Sequence, residues 1–175
     1  MSWFVRGEIL PSMARTSVPR ARRAVATRAR TRATACLKTG GAESMAGIAE
    51  PLSCWARVAR LELVGHGESE APQALEPYAM DACARQIAEA ARALGFTRPH
   101  LLGYSMGGRA ALAAALASPE SFAGLVLVGA TAGIADPVAR AERIAADCAL
   151  ADSIEQGGLE RFVDAWMAQP LFASQ

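Results

Sequence analysis

Short apolar runs alternate with stretches of helical spacing along most of this chain. Residues 56–64, 98–104 and 124–130 form apolar runs of strand length, and residues 78–94 place apolar side chains every three or four positions. The run at 124–130, "GLVLVGA", is almost wholly apolar, which is typical of a strand buried on both faces. Strands that alternate with helices predict an α/β domain built on a mostly parallel sheet.

The pattern becomes more polar and helical beyond residue 133. Gly157 and Gly158 separate two helical stretches in this part of the chain. We therefore expect an α/β core over residues 39–133, followed by the start of a helical cap over residues 134–175.

Residues 1–38 have a different composition from the rest of the chain. They hold nine basic residues and one acid, Glu8, whereas the remainder holds nine basic and 16 acidic residues. Such a leader is compatible with an organelle transit segment, with a basic arm that binds nucleic acid, or with a disordered segment that is not native to the fold. Its arginines form no cationic helix face and have no aromatic residues among them, which argues against a nucleic-acid partner.

Composition narrows the class of protein further. A chain of 175 residues with 52% hydrophobic residues is long enough to bury a core. It has no apolar run of the roughly 18–20 residues that a membrane span needs, and no apolar block typical of a secretory signal. The four cysteines are widely spaced and are predicted to be free thiols. We expect a soluble cytoplasmic protein without a metal or a cofactor.

One pentapeptide, Gly-Tyr-Ser-Met-Gly at residues 103–107, has the form G-x-S-x-G and lies between a predicted strand and a predicted helix. A serine at such a turn adopts a strained backbone conformation, and neighbours without a Cβ allow the strand and the helix to approach. The turn exposes the oxygen of Ser105 and places backbone N–H groups beside it, where they stabilise negative charge. We therefore predict a nucleophile elbow.

The same residues carry a family resemblance. "LELVGHGESEAP" and "GYSMGGRAALA" resemble motifs of the α/β-hydrolase fold, although Glu62 and Val64 depart from the usual Asp-Leu-Pro-Gly-His-Gly pattern. Together with "GIADPVARAER" and "FVDAWMAQPLFASQ", they resemble one group within this fold, the 2-succinyl-6-hydroxy-2,4-cyclohexadiene-1-carboxylate synthases of menaquinone biosynthesis. The resemblance covers roughly residues 39–175, and it implies an incomplete α/β-hydrolase fold.

The resemblance implies a lyase that removes pyruvate from a small polycarboxylate substrate, with a serine triad acting as the base. In this group Ser105 corresponds to the catalytic serine, and the N–H of Met106 corresponds to a donor to the oxyanion. Five further residues correspond to positions that line the substrate pocket: Tyr104, Arg109, Arg143, Trp166 and Phe172. Arginine suits such a substrate because its planar guanidinium binds carboxylates through paired hydrogen bonds.

A serine needs a base, and the sequence holds no histidine after His100. The fold's usual order is serine, acid, histidine, so neither His66 nor His100 is expected to serve. The resemblance places the acid and the histidine beyond residue 175, and we expect the chain to be inactive by itself. Two other classes stay open: a serine esterase of the same fold, and a non-catalytic protein that binds through a basic arm. The oligomeric state cannot be predicted from the sequence.

Overall fold

The structure is a computed structural model that describes residues 7–9, 33–38 and 45–170. The strands in these residues are β1 (Gly7–Ile9), β2 (Ala33–Lys38), β3 (Arg57–Glu62), β4 (His100–Tyr104) and β5 (Gly124–Val128). The α-helices are α1 (Ala46–Ser53), α2 (Met80–Ala93), α3 (Met106–Ala117), α4 (Pro137–Gly157) and α5 (Leu159–Met167).

The five strands form one sheet in the order β1-β3-β2-β4-β5. Strands β2 to β5 run parallel to their neighbours, and only β1 is antiparallel to its partner β3. Helices lie between successive parallel strands, as the right-handed crossovers of parallel sheets require. The predicted α/β architecture with a mostly parallel sheet is therefore confirmed.

The expected boundary between the leader and the core is wrong at β2. We expected residues 1–38 to stand outside the fold, but Ala33–Lys38 form a strand in the middle of the sheet, bonded to β3 and β4 on its two sides. Ala35, Cys36 and Leu37 are fully buried. The strand is only six residues long and follows an arginine-rich tract. The average composition of residues 1–38 is therefore dominated by arginine, and the short apolar segment was not recognised as a strand. The leader's other residues, apart from Gly7–Ile9, lie outside the described part of the chain.

Burial has a chemical consequence for the thiol in this central strand. Burial raises the pKa of Cys36 from 9.0 to about 11, and the positive charge of Arg60 opposes this shift only in part. The thiol therefore stays protonated at neutral pH and is unsuited to nucleophilic chemistry.

Two apolar clusters cover the two faces of the sheet. On one face, residues of α2 and α3 such as Ile87 and Ala111 pack against Leu37 and Leu101. On the other face, Met45 and Ala49 at α1 pack against a smaller cluster from β2, β3 and β4. A sheet covered by helices on both sides is the usual arrangement for parallel strands, which are buried from both directions.

The last strand, β5, departs from the sequence prediction. We expected it to be buried on both faces, but Val126, Leu127 and Val128 are 49%, 38% and 40% exposed. Its pattern is that of a central strand, while among the described residues it pairs only with β4. The burial of a strand depends on the elements that pack against it, and these cannot be predicted from the residues of the strand alone.

The chain divides into two compact units, Met1–Ala132 and Gly133–Gln175. In the second unit, the carboxylate of Asp136 accepts the N–H of Ala139 at 2.8 Å and caps the start of α4. Gly158 has a φ of 79° between α4 and α5, so the predicted glycine break between two helices is confirmed. Within residues 7–9, 33–38 and 45–170, no helix is long and apolar enough to cross a membrane.

Candidate active site

Ser105 occupies the turn between β4 and α3 and has a backbone conformation that L-residues rarely adopt. Its φ is 51° and its ψ is −120°. Three hydrogen bonds hold the residue there: its N–H donates to the carbonyl of Val128 at 2.9 Å, and its own carbonyl accepts the N–H groups of Gly108 and Arg109 at 3.0 and 3.2 Å. The neighbouring strand and the first turn of the helix therefore maintain a conformation that costs about 1–3 kcal/mol.

Two glycines allow this turn to form. A Cβ on Gly103 would lie 2.5 Å from the Cα of Gly108 and 2.6 Å from the carbonyl oxygen of Gly107. A Cβ on Gly108 would lie 2.5 Å from the side chain of Ala130. Strand β4 and helix α3 therefore approach at Gly103 and Gly108 to a distance that no larger residue permits.

The turn leaves the serine accessible and places helix amides beside it. Tyr104, Ser105 and Met106 are all exposed at the carboxyl end of β4. Helix α3 begins at Met106, and the first N–H groups of a helix have no acceptor within the helix. The amide of Met106 lies at the positive end of this helix of 12 residues, and its role as an oxyanion donor stays a prediction. The loop after β2, residues 39–44, lies outside the described residues.

Tyr104 precedes the serine in the sequence, and Arg109 follows it. Tyr104 ends β4, and its ring lies 3.7 Å from the position that a Cβ on Gly129 would take. Arg109 lies one helical turn after the serine, is exposed, and is tied to it through the backbone bond described above. The structure therefore brings four of the predicted site residues together in adjacent positions: Tyr104, Ser105, Met106 and Arg109.

The other predicted pocket residues belong to the second unit. In α4, the Nε of Arg143 donates to both carboxylate oxygens of Asp147 at 2.8 and 2.9 Å. In α5, the ring of Trp166 lies 5.6 Å from that of Phe162, and Trp166 is 41% exposed. Phe172 lies outside the described residues. The role of these three residues in substrate binding stays a prediction.

The two histidines lie in β4 and in the glycine loop after β3. His100 begins β4 and Ser105 follows its end, so the two are separated by about 16 Å at 3.3 Å per strand residue. The Nδ1 of His66 donates to the carbonyl of Val64 at 3.0 Å within the glycine loop after β3. This bond closes a short local turn, which supports the structural interpretation of His66.

The sequence analysis gave no function to Glu62, which the structure shows to organise that glycine loop. Glu62 is 6% exposed, and its Oε2 accepts the N–H of Glu68 at 2.9 Å. Its carbonyl accepts the hydroxyl of Ser69 at 2.8 Å, and a Cβ on Gly67 would collide with the carboxylate. The only sequence signal for this role was an acid at the end of a predicted strand with a glycine five residues later. The loop lies at the carboxyl edge of the sheet, where parallel α/β folds bind ligands.

The family model described as alpha/beta hydrolase fold matches residues 39–159, more than half of the chain. The chain belongs to the alpha/beta hydrolase fold family. Membership of this family predicts the nucleophile at the strained serine between β4 and α3.

Curated relatives within the family carry the name expected from the sequence. The putative 2-succinyl-6-hydroxy-2,4-cyclohexadiene-1-carboxylate synthase of Bacillus subtilis is 39% identical over 137 residues, which is 78% of this chain and 50% of that protein. The synthase of the same name from Serratia proteamaculans is 33% identical over 115 residues, 65% of this chain and 44% of that protein. The resemblance to this group is confirmed, and the chain spans about half the length of these relatives.

A solved structure also supports the fold. The structure of MenH from S. aureus matches with a TM-score of 0.77 and 24% identity, covering 100% of this chain and 60% of that one. At this level of identity the match shows the fold alone. It agrees with the predicted incomplete α/β-hydrolase fold.

Proposed function

We propose that this chain carries the nucleophile half of a 2-succinyl-6-hydroxy-2,4-cyclohexadiene-1-carboxylate synthase. The observation that carries the proposal is the strained turn at Ser105, with Met106 and Arg109 beside it, in a chain that is 39% identical to a relative of that name. The reaction is the elimination of pyruvate from 2-succinyl-5-enolpyruvyl-6-hydroxy-3-cyclohexene-1-carboxylate.

The chemistry assigns a simple role to each group. Ser105, once deprotonated by a histidine base, removes a proton from the substrate ring. The electron pair of that C–H bond forms a new C=C bond, and the C–O bond to the enolpyruvyl group breaks. The released enolate takes a proton and becomes pyruvate. Negative charge that develops on oxygen during these steps is stabilised by the amide of Met106 at the start of α3.

Arg109 is proposed to hold a carboxylate of the substrate. It is exposed, lies one turn along the helix from Ser105, and has a planar guanidinium that suits paired hydrogen bonds to a carboxylate. Arg143, Trp166 and Phe172 are also proposed to bind the substrate, because they correspond to substrate-pocket positions in the related group. Asp147 accepts from the Nε of Arg143 and thereby orients its guanidinium.

The additional length of the relatives is the proposed source of the base, since both histidines of this sequence, His66 and His100, precede the serine. By itself the chain is therefore proposed to be inactive, because a serine hydroxyl without its partners is a poor base. We propose that it acts without a metal or cofactor, because every step above is a proton transfer or an elimination.

The experiment joins the full chain to the part of the Bacillus subtilis relative that lies outside its match with this chain. Pyruvate release from the polycarboxylate substrate is then measured by a coupled dehydrogenase assay. Ser105→Ala is expected to lower kcat by about 10³-fold or more, and Arg109→Ala to raise KM. Arg85→Ala is the matched control, because Arg85 is an exposed helix arginine paired with Asp81 at 2.9 Å. Wild-type rates in Ser105→Ala would overturn the proposal.

A further inference from the structure

The glycine loop after β3 is held in one conformation by its own contacts. The N–H of Gly65 donates to the carbonyl of Glu70 at 2.8 Å, and the N–H of Ser69 donates to the carbonyl of His66 at 3.0 Å. The ring of Tyr78 covers the loop, since a Cβ on Gly65 would lie 2.7 Å from its Cε1 atom. A loop fixed in this way presents a side chain to a ligand with little loss of conformational entropy.

The loop lies at the same edge of the sheet as Ser105. Leu61 and Gly103 both pair with Leu37, so the ends of β3 and β4 are level with each other on the two sides of β2. Two strand spacings separate these ends by about 10 Å. Ligands of parallel α/β sheets bind at the carboxyl ends of the strands. A cyclohexene that carries succinyl and enolpyruvyl groups extends over a similar distance, so one substrate molecule can contact both Ser105 and His66.

One ring nitrogen of His66 is an available hydrogen-bond acceptor. The Nδ1 lies 3.0 Å from the carbonyl oxygen of Val64, which can only accept, so in the neutral ring the hydrogen is on Nδ1. The Nε2 then has a lone pair and no hydrogen. No residue in the described part of the chain forms a hydrogen bond with this nitrogen, and the ring is partly exposed. The bond that fixes the ring therefore also makes Nε2 an acceptor for a ligand.

The substrate of the proposed reaction has one group that needs such an acceptor. Its carboxylate, ketone and ether oxygens only accept hydrogen bonds, whereas its 6-hydroxyl can donate one. The guanidinium of Arg109 only donates and suits the carboxylates. Glu68 and Glu70 give the glycine loop a negative charge, which repels carboxylates from this side of the site. The uncharged hydroxyl is therefore the group that best fits beside His66.

We propose that His66 is a specificity-determining residue whose Nε2 accepts a hydrogen bond from the 6-hydroxyl of the substrate. This inference rests on the proposed function and adds to it a residue that the family resemblance left without a role in the reaction. The role is distinct from that of the triad base, because His66 takes no proton from Ser105. A site that binds a hydroxyl in this way rejects the analogue without it, because the buried acceptor is then left unsatisfied.

The discrimination between two substrates tests the proposal in the joined protein, which is the full chain completed by the other half of the Bacillus subtilis relative. The kcat/KM for pyruvate release is measured with the substrate and with its 6-deoxy analogue. The ratio of the two values is expected to be about tenfold smaller in His66→Leu than in wild type. His100→Leu changes the other histidine and is expected to keep the wild-type ratio. A purely structural change in the loop would lower both values together and leave the ratio unchanged.

A binding measurement without turnover separates this proposal from the proposed function. In the Ser105→Ala joined protein with isotope-labelled histidine, the Nε2 resonance of His66 is expected to shift with the substrate but not with the deoxy analogue. An Nε2 resonance that does not respond to the substrate, or an unchanged kcat/KM ratio in His66→Leu, would overturn the proposal. A ratio that falls only in Glu68→Gln would assign the hydroxyl to that carboxylate and overturn it as well. A resonance that responds to the hydroxyl in a protein that releases no pyruvate before the serine is replaced would contradict only the proposed function.

Discussion

The strained backbone of Ser105 leads to a stability prediction that runs against the usual rule for glycine. Ser105→Ala removes the hydroxyl but keeps the Cβ that makes a φ of 51° unfavourable. Ser105→Gly removes the same hydroxyl and also the Cβ. The difference between the two variants therefore isolates the backbone strain, because the lost hydroxyl is common to both.

The magnitude follows from two opposing terms. Strain of this kind costs about 1–3 kcal/mol. Glycine loses more conformational entropy on folding, which costs about 0.5–1 kcal/mol relative to alanine. The free energy of unfolding of Ser105→Gly is therefore expected to exceed that of Ser105→Ala by about 1 kcal/mol, with the sum of the two terms spanning about 0–2.5 kcal/mol.

Urea unfolding followed by circular dichroism measures this difference, with the m-value as a check that the unfolded states are comparable. Ala115→Gly in α3 is the control, because a glycine in an ordinary helical position is expected to lower stability by about 0.5–1 kcal/mol. If Ser105→Gly is less stable than Ser105→Ala by a similar amount, the serine stores no strain and the reasoning about the elbow fails.

Three further predictions concern packing and protonation. Gly103→Ala is expected to lower the free energy of unfolding by more than about 2 kcal/mol, because the added Cβ would lie 2.5 Å from the backbone of Gly108. Gly47→Ala in α1 has open space around the added Cβ, and it is expected to be neutral or stabilising in the same urea titration. Leu37→Ala is expected to lower the free energy of unfolding by about 2–5 kcal/mol, because Leu37 is fully buried in the central strand. Leu116→Ala removes an exposed side chain and is expected to lower it far less. Equal effects of the two variants would contradict the burial of β2 in the core. The raised pKa of Cys36 means that the folded state holds the thiol proton more tightly than the unfolded state does. The protonated thiol therefore contributes to the free energy of unfolding below pH 9, and this contribution is lost as the pH rises from about 9 to about 11. Stability should therefore fall more steeply over that range in wild type than in Cys36→Ala, and parallel pH profiles would contradict the burial of the thiol.

The nucleophile turn was predictable because its requirements are local. A strained serine between a strand and a helix needs small neighbours within a few residues, and "GYSMGG" contains them. Helix α3 starts directly after this turn, at Met106, and ends at Ala117, just before Ser118-Pro119. The ion pair of Arg143 with Asp147 also had a local signal, namely opposite charges four residues apart in a helix.

Features that depend on distant neighbours could not be predicted in the same way. Strand β2 has a weak pattern of its own, and it becomes the centre of the sheet because β3 and β4 pair with it from both sides. Strand β5 has the composition of a buried strand, and its exposure reflects which segments pack on it. Glu62 is functional in the loop only because the chain folds back over its carboxylate.

The most direct test of the central claim is the identity of the reaction that the joined protein performs. The protein is incubated separately with the cyclohexene polycarboxylate and with a p-nitrophenyl ester, and pyruvate and p-nitrophenol are measured under the same conditions. Pyruvate release that is lost in Ser105→Ala is the predicted result. Ester hydrolysis that depends on Ser105, with no release of pyruvate, would instead identify a serine esterase and contradict the account.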